Sequence, residues 1–176
     1  VMTYNVRQVN AADTGAYAWT VRSPAVIQLI TDNDPDIFGV QEASAAVIRD
    51  DLVAAFAGTY DHHRPPGGSP KMIFYRRARF AAGEAGSIAL PNPYPATDPC
   101  FPNASGRTAG WVILEDRESG RSYLVVNVHT AHGAACKLAR ERSAVALHAF
   151  LAEQRGDLPI VLFGDFNADR QGPSGA

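Results

Sequence analysis

Pro159-Ile160-Val161-Leu162-Phe163-Gly164-Asp165-Phe166-Asn167-Ala168 is the stretch from which the rest of the chain is read. An apolar run led in by proline reads as a buried strand. It ends in a glycine followed by Asp165 and Asn167, two positions apart, which strand alternation directs to one face. Strands often finish in Asp, Asn or Gly simply to turn, so a single ending of this kind says little. Here the ending recurs. Val1-Met2-Thr3-Tyr4 runs into Asn5, Asp36-Ile37-Phe38-Gly39-Val40 into Gln41 and Glu42, and Tyr123-Leu124-Val125-Val126 into Asn127 and His129. Apolar strands far apart in sequence each deliver an acid, an amide or an imidazole where the core stops. Ligand sites in sheet proteins gather where strand ends converge, so a shared polar site is the expectation.

The chain has 176 residues, enough for one domain with a real core, and the expected domain runs over 1–176. An apolar share of 46% and a charged share of 19% belong to an ordinary globular protein. No apolar run approaches a membrane span. The first residues already read as a core strand and the last are Gly172-Pro173-Ser174-Gly175-Ala176, so both ends are expected to be cut from a longer chain. A net charge of −2 argues against gripping nucleic acid through overall charge. It leaves room for a metal-assisted phosphodiesterase, whose cation supplies the local positive charge. Cys100 and Cys136 can pair in an exported enzyme and would stay reduced in the cytosol. The compartment is left open, with the cysteine pair leaning towards an extracytoplasmic one.

Along the chain, Ser23 and Pro24 read as the N-cap and first residue of a helix with an apolar face of Val26, Ile27, Leu29 and Ile30, ended by Asn33-Asp34-Pro35. The strands on either side then make a βαβ unit, parallel if they share a sheet. Residues 43–57 read as a second helix, with Ile48, Leu52 and Phe56 four apart. Lys71 to Arg76 reads as a strand, as does a piece around Gly86 to Leu90. Pro91 to Gly106 is the longest irregular stretch, Arg107–Asp116 and Arg121–His129 form a hairpin, and Cys136 to about Gln154 is helical. This alternation supports α/β or α+β packing.

The motifs MTYNVR at 2–7, DIFGVQEA at 36–43, VNVHTAH at 126–132 and VLFGDFNA at 161–168, in that order, resemble those of the endonuclease/exonuclease/phosphatase superfamily, the deoxyribonuclease I-like phosphoesterases. The resemblance implies an α+β fold, a four-layer α/β/β/α sandwich of two packed mixed β-sheets flanked by helices. It implies divalent-metal-dependent hydrolysis of phosphodiester bonds, endonuclease-like, with Mg2+ (or Mn2+ or Ca2+) as cofactor and nucleic acid as the substrate. Relatives also act on sphingomyelin-like lipids and inositol phosphates, which are the alternative substrates. The family closes with a strand carrying a Ser-Asp-His triplet, and this chain stops at Ala176 without it. A non-catalytic binding or scaffold domain is therefore a further alternative. Gly-Asp-x-His and Gly-Asn-His-Asp patterns of calcineurin-type metallophosphatases are absent from the sequence.

Carried over residue by residue, the resemblance assigns Glu42 and Asn5 to the metal, and Asp165, Asn167 and His129 to catalysis. Magnesium takes oxygen ligands and keeps several waters, so one or two side chains suffice to hold it. Taken singly, Glu42 is an acid favouring a helix start and Asn5 a turn-former; their recurrence at strand ends argues for the site. Asp165 and Asn167 are expected to orient water and phosphate, and His129 to donate a hydrogen bond or proton to the phosphate. Asn127, two residues away on the same face, is expected to fix that ring and to meet phosphate. Arg22 and Arg107 supply guanidinium forks for phosphate, while Trp19 and Trp111 read as core. Relatives carry an acid where this chain has Ala131, which leaves His132 without an assigned role. His129, His132 and Cys136 are close enough in sequence to suggest zinc, but no second cluster completes a tetrahedral site.

Overall fold

The computed structural model describes residues 1–66, 69–154 and 156–168. The end of the chain, read above as a cut end, lies outside them. Strands β1 (Met2–Asn5), β2 (Ile37–Gln41), β3 (Tyr60–His63) and β4 (Met72–Arg76) form one sheet in the order β1-β2-β4-β3. Strands β5 (Phe80–Ala89), β6 (Thr108–Asp116), β7 (Ser122–His129) and β8 (Ile160–Asp165) form a second in the order β5-β6-β7-β8. Both sheets are mixed. β1 runs parallel to β2 and β7 parallel to β8, and the remaining neighbours are antiparallel.

Alternation along β2 shows how the layers form. Phe38 and Val40 pack with Val26 and Ile30 of helix α1 (Trp19–Asn33) and Ile48, Leu52 and Phe56 of helix α2 (Ala46–Phe56). Ile37, on the other face, joins Ile73 and Tyr75 against Phe80, Val112, Leu114, Val125 and Phe163 of the second sheet. The outer face of that sheet packs Leu124, Val126 and Val128 against Leu147 of helix α4 (Lys137–Gln154). Helix, sheet, sheet and helix thus make the four-layer α/β/β/α sandwich. Gly39 allows the sheets to close, because a Cβ there would stand 1.9 Å from Phe163 Cε2. Among the described residues no helix is long and apolar enough to cross a membrane.

Several local expectations are corrected. α1 begins at Trp19, not at Ser23, and carries Pro24 inside it. The Trp19 indole N–H donates to Asp51 at 2.7 Å, and the Arg22 guanidinium donates to the carbonyls of Val6, Arg7 and Tyr17, so tertiary bonds hold a first turn that local propensity does not. β3 was not expected, since Tyr60-Asp61-His62-His63 is polar; it is an edge strand with only Tyr60 buried. β5 starts at Phe80 and reaches Ala89 across an irregularity between Ala82 and Ala85, extended by pairing with β6 rather than by its own alanine- and glycine-rich sequence. The irregular stretch holds a short helix α3 (Phe101–Ala104).

Parallel pairing brings C-terminal strand ends together. Asn5 stands opposite Gln41 in the first sheet, and His129 opposite Asp165 in the second. Facing sheets set the two pairs at a single edge of the sandwich, where Asn5 bonds across to Asp165.

Candidate active site

Glu42 leaves β2 with φ of 66°, a left-handed backbone that a glutamate adopts only at a cost of about 1–3 kcal/mol. Arg7 at 56° and Asn167 at 47° share that conformation, so three of the four described non-glycine residues with positive φ flank one site. The distortion aims the carboxylates inwards. Asn5 Nδ2 donates to Glu42 Oε1 at 2.8 Å and to Asp165 Oδ2 at 2.9 Å, while its Oδ1 accepts from the Arg7 backbone N–H at 2.9 Å. Glu42 Oε2 accepts from the Gln8 N–H at 2.9 Å and Asp165 Oδ1 from the Asn167 N–H, also at 2.9 Å. His129 Nε2 lies 3.7 Å from Asp165 Oδ2 and 4.0 Å from Glu42 Oε1. Gly164 precedes Asp165 because β8 presses against β7: a Cβ there would fall 2.0 Å from the Val128 carbonyl oxygen.

Electrostatics separate these groups. Burial opposes ionisation of Glu42, but the bonds from Asn5 and the Gln8 backbone outweigh it and hold the carboxyl below its ordinary range. Burial, reinforced by the charge of Arg107, lowers His129 to about 4, so the ring is neutral at physiological pH. Two carboxylates converging on one amide nitrogen call for a counter-charge. Among the described residues no group of three or more His, Cys, Asp or Glu side chains is set to hold a metal. The donor set fits a hard divalent cation that takes few protein oxygens and keeps its waters. Glu42 and Asp165 present carboxylate oxygens that could take one, and Asn5, whose Nδ2 faces them while its Oδ1 accepts from the Arg7 N–H, would add an oxygen only on turning its amide. Zinc has no support here, because Cys136 is bonded to Cys100.

A cavity of about 350 Å³ opens beside Glu42 and His129, walled by Lys71, Arg107, Asn103, Ser105 and His132. Arg107 hangs on α3 through a bond from Nε to the Asn103 carbonyl at 2.7 Å. The Cys100–Cys136 disulfide and the bond from the Tyr94 hydroxyl to the Ala135 carbonyl, 2.8 Å, tie that wall to the start of α4. Asn167 lines a second depression with Asp165, Asn5 and Gln41, and its amide donates to the Thr130 carbonyl at 3.1 Å.

Two expected phosphate ligands stand elsewhere. Asn127 is fully buried between the sheets, donating to the Val40 and Met72 carbonyls at 3.0 Å each and accepting from Gln41 Nε2 at 2.8 Å. Those bonds occupy its amide, so it pins sheet to sheet and neither reaches phosphate nor bonds the His129 ring. Arg22 stacks on Trp19, 4.8 Å from the ring, and spends its donors on backbone carbonyls. Lys71 and the Gln8 N–H had no place in the expected site. Lysine is scarce, with 14 arginines to two lysines, and one of the two opens an apolar strand, which is the signal that could have singled it out.

The comparisons agree with this geometry. A family model described as Endonuclease/Exonuclease/phosphatase family matches residues 2–175. Carbon catabolite repressor protein 4 homolog 3 of Arabidopsis thaliana is 26% identical over 162 residues, covering 88% of this chain. The chain spans 34% of that relative's length. An endonuclease/exonuclease/phosphatase family protein of Bacteroides thetaiotaomicron superposes with a TM-score of 0.81 at 29% identity, covering 98% of this chain and 65% of that one. A mannosyl-6-phosphatase of the same organism superposes at 0.78 with 28% identity, covering 98% and 67%. With its sandwich, its converging acids and a match along almost its whole length, the chain belongs to the Endonuclease/Exonuclease/phosphatase family.

Proposed function

We propose that this site hydrolyses phosphodiester bonds with a divalent cation, in the endonuclease-like manner that the sequence suggests. The observation that carries the reading is the meeting of Asn5, Glu42, His129 and Asp165 from four separate strand ends, each acid fixed by hydrogen bonds. A cation such as Mg2+, held through Glu42 with Asn5, supplies Lewis-acid neutralisation of charge growing on the phosphoryl oxygens. Asp165 accepts a hydrogen bond from the attacking water and Asn167 orients water and phosphate from the same depression. His129, as a neutral ring, donates a hydrogen bond to a phosphate oxygen rather than a proton. Arg107 offers its remaining donors to the same phosphate.

Nucleic acid is the proposed substrate. Sphingomyelin-like lipid fits less well, because polar and charged groups dominate the cavity wall. Whether this protein cleaves or merely binds is decided by assay of the complete protein against bis(p-nitrophenyl) phosphate with magnesium and with chelator. Glu42→Ala and His129→Ala are each expected to abolish magnesium-dependent turnover; full activity in either variant, or none in the wild type, removes the assignment.

A further inference from the structure

Two cations on the cavity wall stand outside any ion pair among the described residues. Lys71 precedes Met72, the β4 partner of Val40, and therefore arrives at the same strand end as Glu42. It is 2% exposed and lines the cavity with Arg107 and His129. Among the described residues no carboxylate forms an ion pair with Lys71 or Arg107, and Lys71 Nζ has no hydrogen-bond partner. The Lys71 stem is buried while its ammonium opens to the cavity with no carboxylate beside it, and an aliphatic residue would fill the place better if packing were the purpose. Glu42 and Asp165 are turned to Asn5 and, on the reading above, to a cation. That leaves two positive charges facing the cavity for the substrate to meet, with the polar side chains of Asn103 and Ser105 beside them.

We propose that Lys71, together with Arg107, takes a second negative charge of a phosphate-bearing substrate. The site then favours two negative charges near the scissile bond over an isolated phosphodiester. The second charge comes either from a terminal phosphate, as in a phosphomonoester, or from a phosphate flanking the one being cleaved. The proposal rests on the phosphoester reading of the site, and its test separates the two.

Three substrates are compared in the complete protein with magnesium: bis(p-nitrophenyl) phosphate with one charge, p-nitrophenyl phosphate with a terminal dianion, and 5′-phosphorylated dithymidylate with a flanking phosphate. Lys71→Met is expected to lower kcat/KM on a doubly charged substrate about tenfold more than on the singly charged one, chiefly through KM, with Lys71→Arg restoring most of the difference. Loss concentrated on p-nitrophenyl phosphate identifies the terminal source, and loss on the dinucleotide the flanking one. Equal losses on all three overturn the proposal. Calorimetry with inorganic phosphate on metal-free protein gives a readout without turnover: binding should weaken about tenfold in Lys71→Met, and unchanged binding contradicts a charge-recognising lysine. If the wild type cleaves none of the three, the phosphoesterase reading falls while calorimetry still decides Lys71.

Discussion

Gln41 and Glu42 are neighbours at the end of one strand, yet they belong to regions of opposite character. Gln41 is 1% exposed, and its amide donates to Asn127 at 2.8 Å and Thr3 at 3.0 Å, forming part of a strut between the sheets. Glu42, one residue on, sits on a left-handed backbone beside a second acid and opens onto a cavity. The strut is almost wholly buried and held by neutral hydrogen bonds, as structural polar groups are. The rim gathers strained backbone, like charges sharing one amide and cations outside any ion pair among the described residues, features that a fold tolerates where a ligand is to complete them. Burial with every bond made marks support, whereas strain with charges left over marks function.

The contrast is sharpest for Glu42→Gln. This change should cut turnover of a phosphodiester about 1000-fold while altering stability by less than about 1 kcal/mol, compared by initial rates and urea denaturation. The reverse profile is expected at the strut. Asn127→Ala leaves the Val40 and Met72 carbonyls and the Gln41 amide without their partner, at a cost of about 3 kcal/mol read as a lower urea midpoint with unchanged slope. A midpoint near wild type would return Asn127 to the surface role that its sequence position suggested. Next in size is a pH effect on the rim. Because His129 is lowered to about 4 in the folded state from an ordinary 6.5, the unfolded chain binds its proton first as pH falls. Folding stability measured in chelator should therefore decline from about pH 6.5 towards about pH 4, and His129→Gln should flatten that slope; parallel slopes would mean that the ring is not buried neutral. The smallest effect is expected at Arg22. Its loss from the backbone carbonyls of Val6 and Arg7 should cost about 1 kcal/mol with less than about a threefold change in KM, and a large rise in KM would make it a phosphate ligand after all.

Strands β1, β2, β7 and β8 were legible because each is an apolar run closed by polar residues; β2 and most of β7 are buried, whereas β1 and β8 lie at sheet edges among the described residues, and the stretch read as a buried strand at β8 buries only Phe163 and leaves Leu162 exposed. Their meeting at one edge rests on parallel pairing, which the βαβ pattern already suggested. What sequence did not reveal is depth. Asn5 and Asn127 are the same residue type after the same kind of strand, and only the packing of one sheet on the other sends Asn127 into the core while Asn5 stays at the rim. Trp19 and Arg22 start α1 early through contacts with residues remote in the chain, which local helix signals at Ser23 and Pro24 do not register. Lys71 escaped for a related reason. A lysine before an apolar strand reads as solvated, and its burial follows from the antiparallel approach of β4 to β2.

The central claim is that the rim and not the strut is built for a cation. Titration of the complete protein with Mn2+, followed by calorimetry, tests it directly. One site per chain is expected, lost in Glu42→Gln and kept in Asn127→Ala under conditions where both are folded. Stoichiometric binding that survives Glu42→Gln would contradict the account.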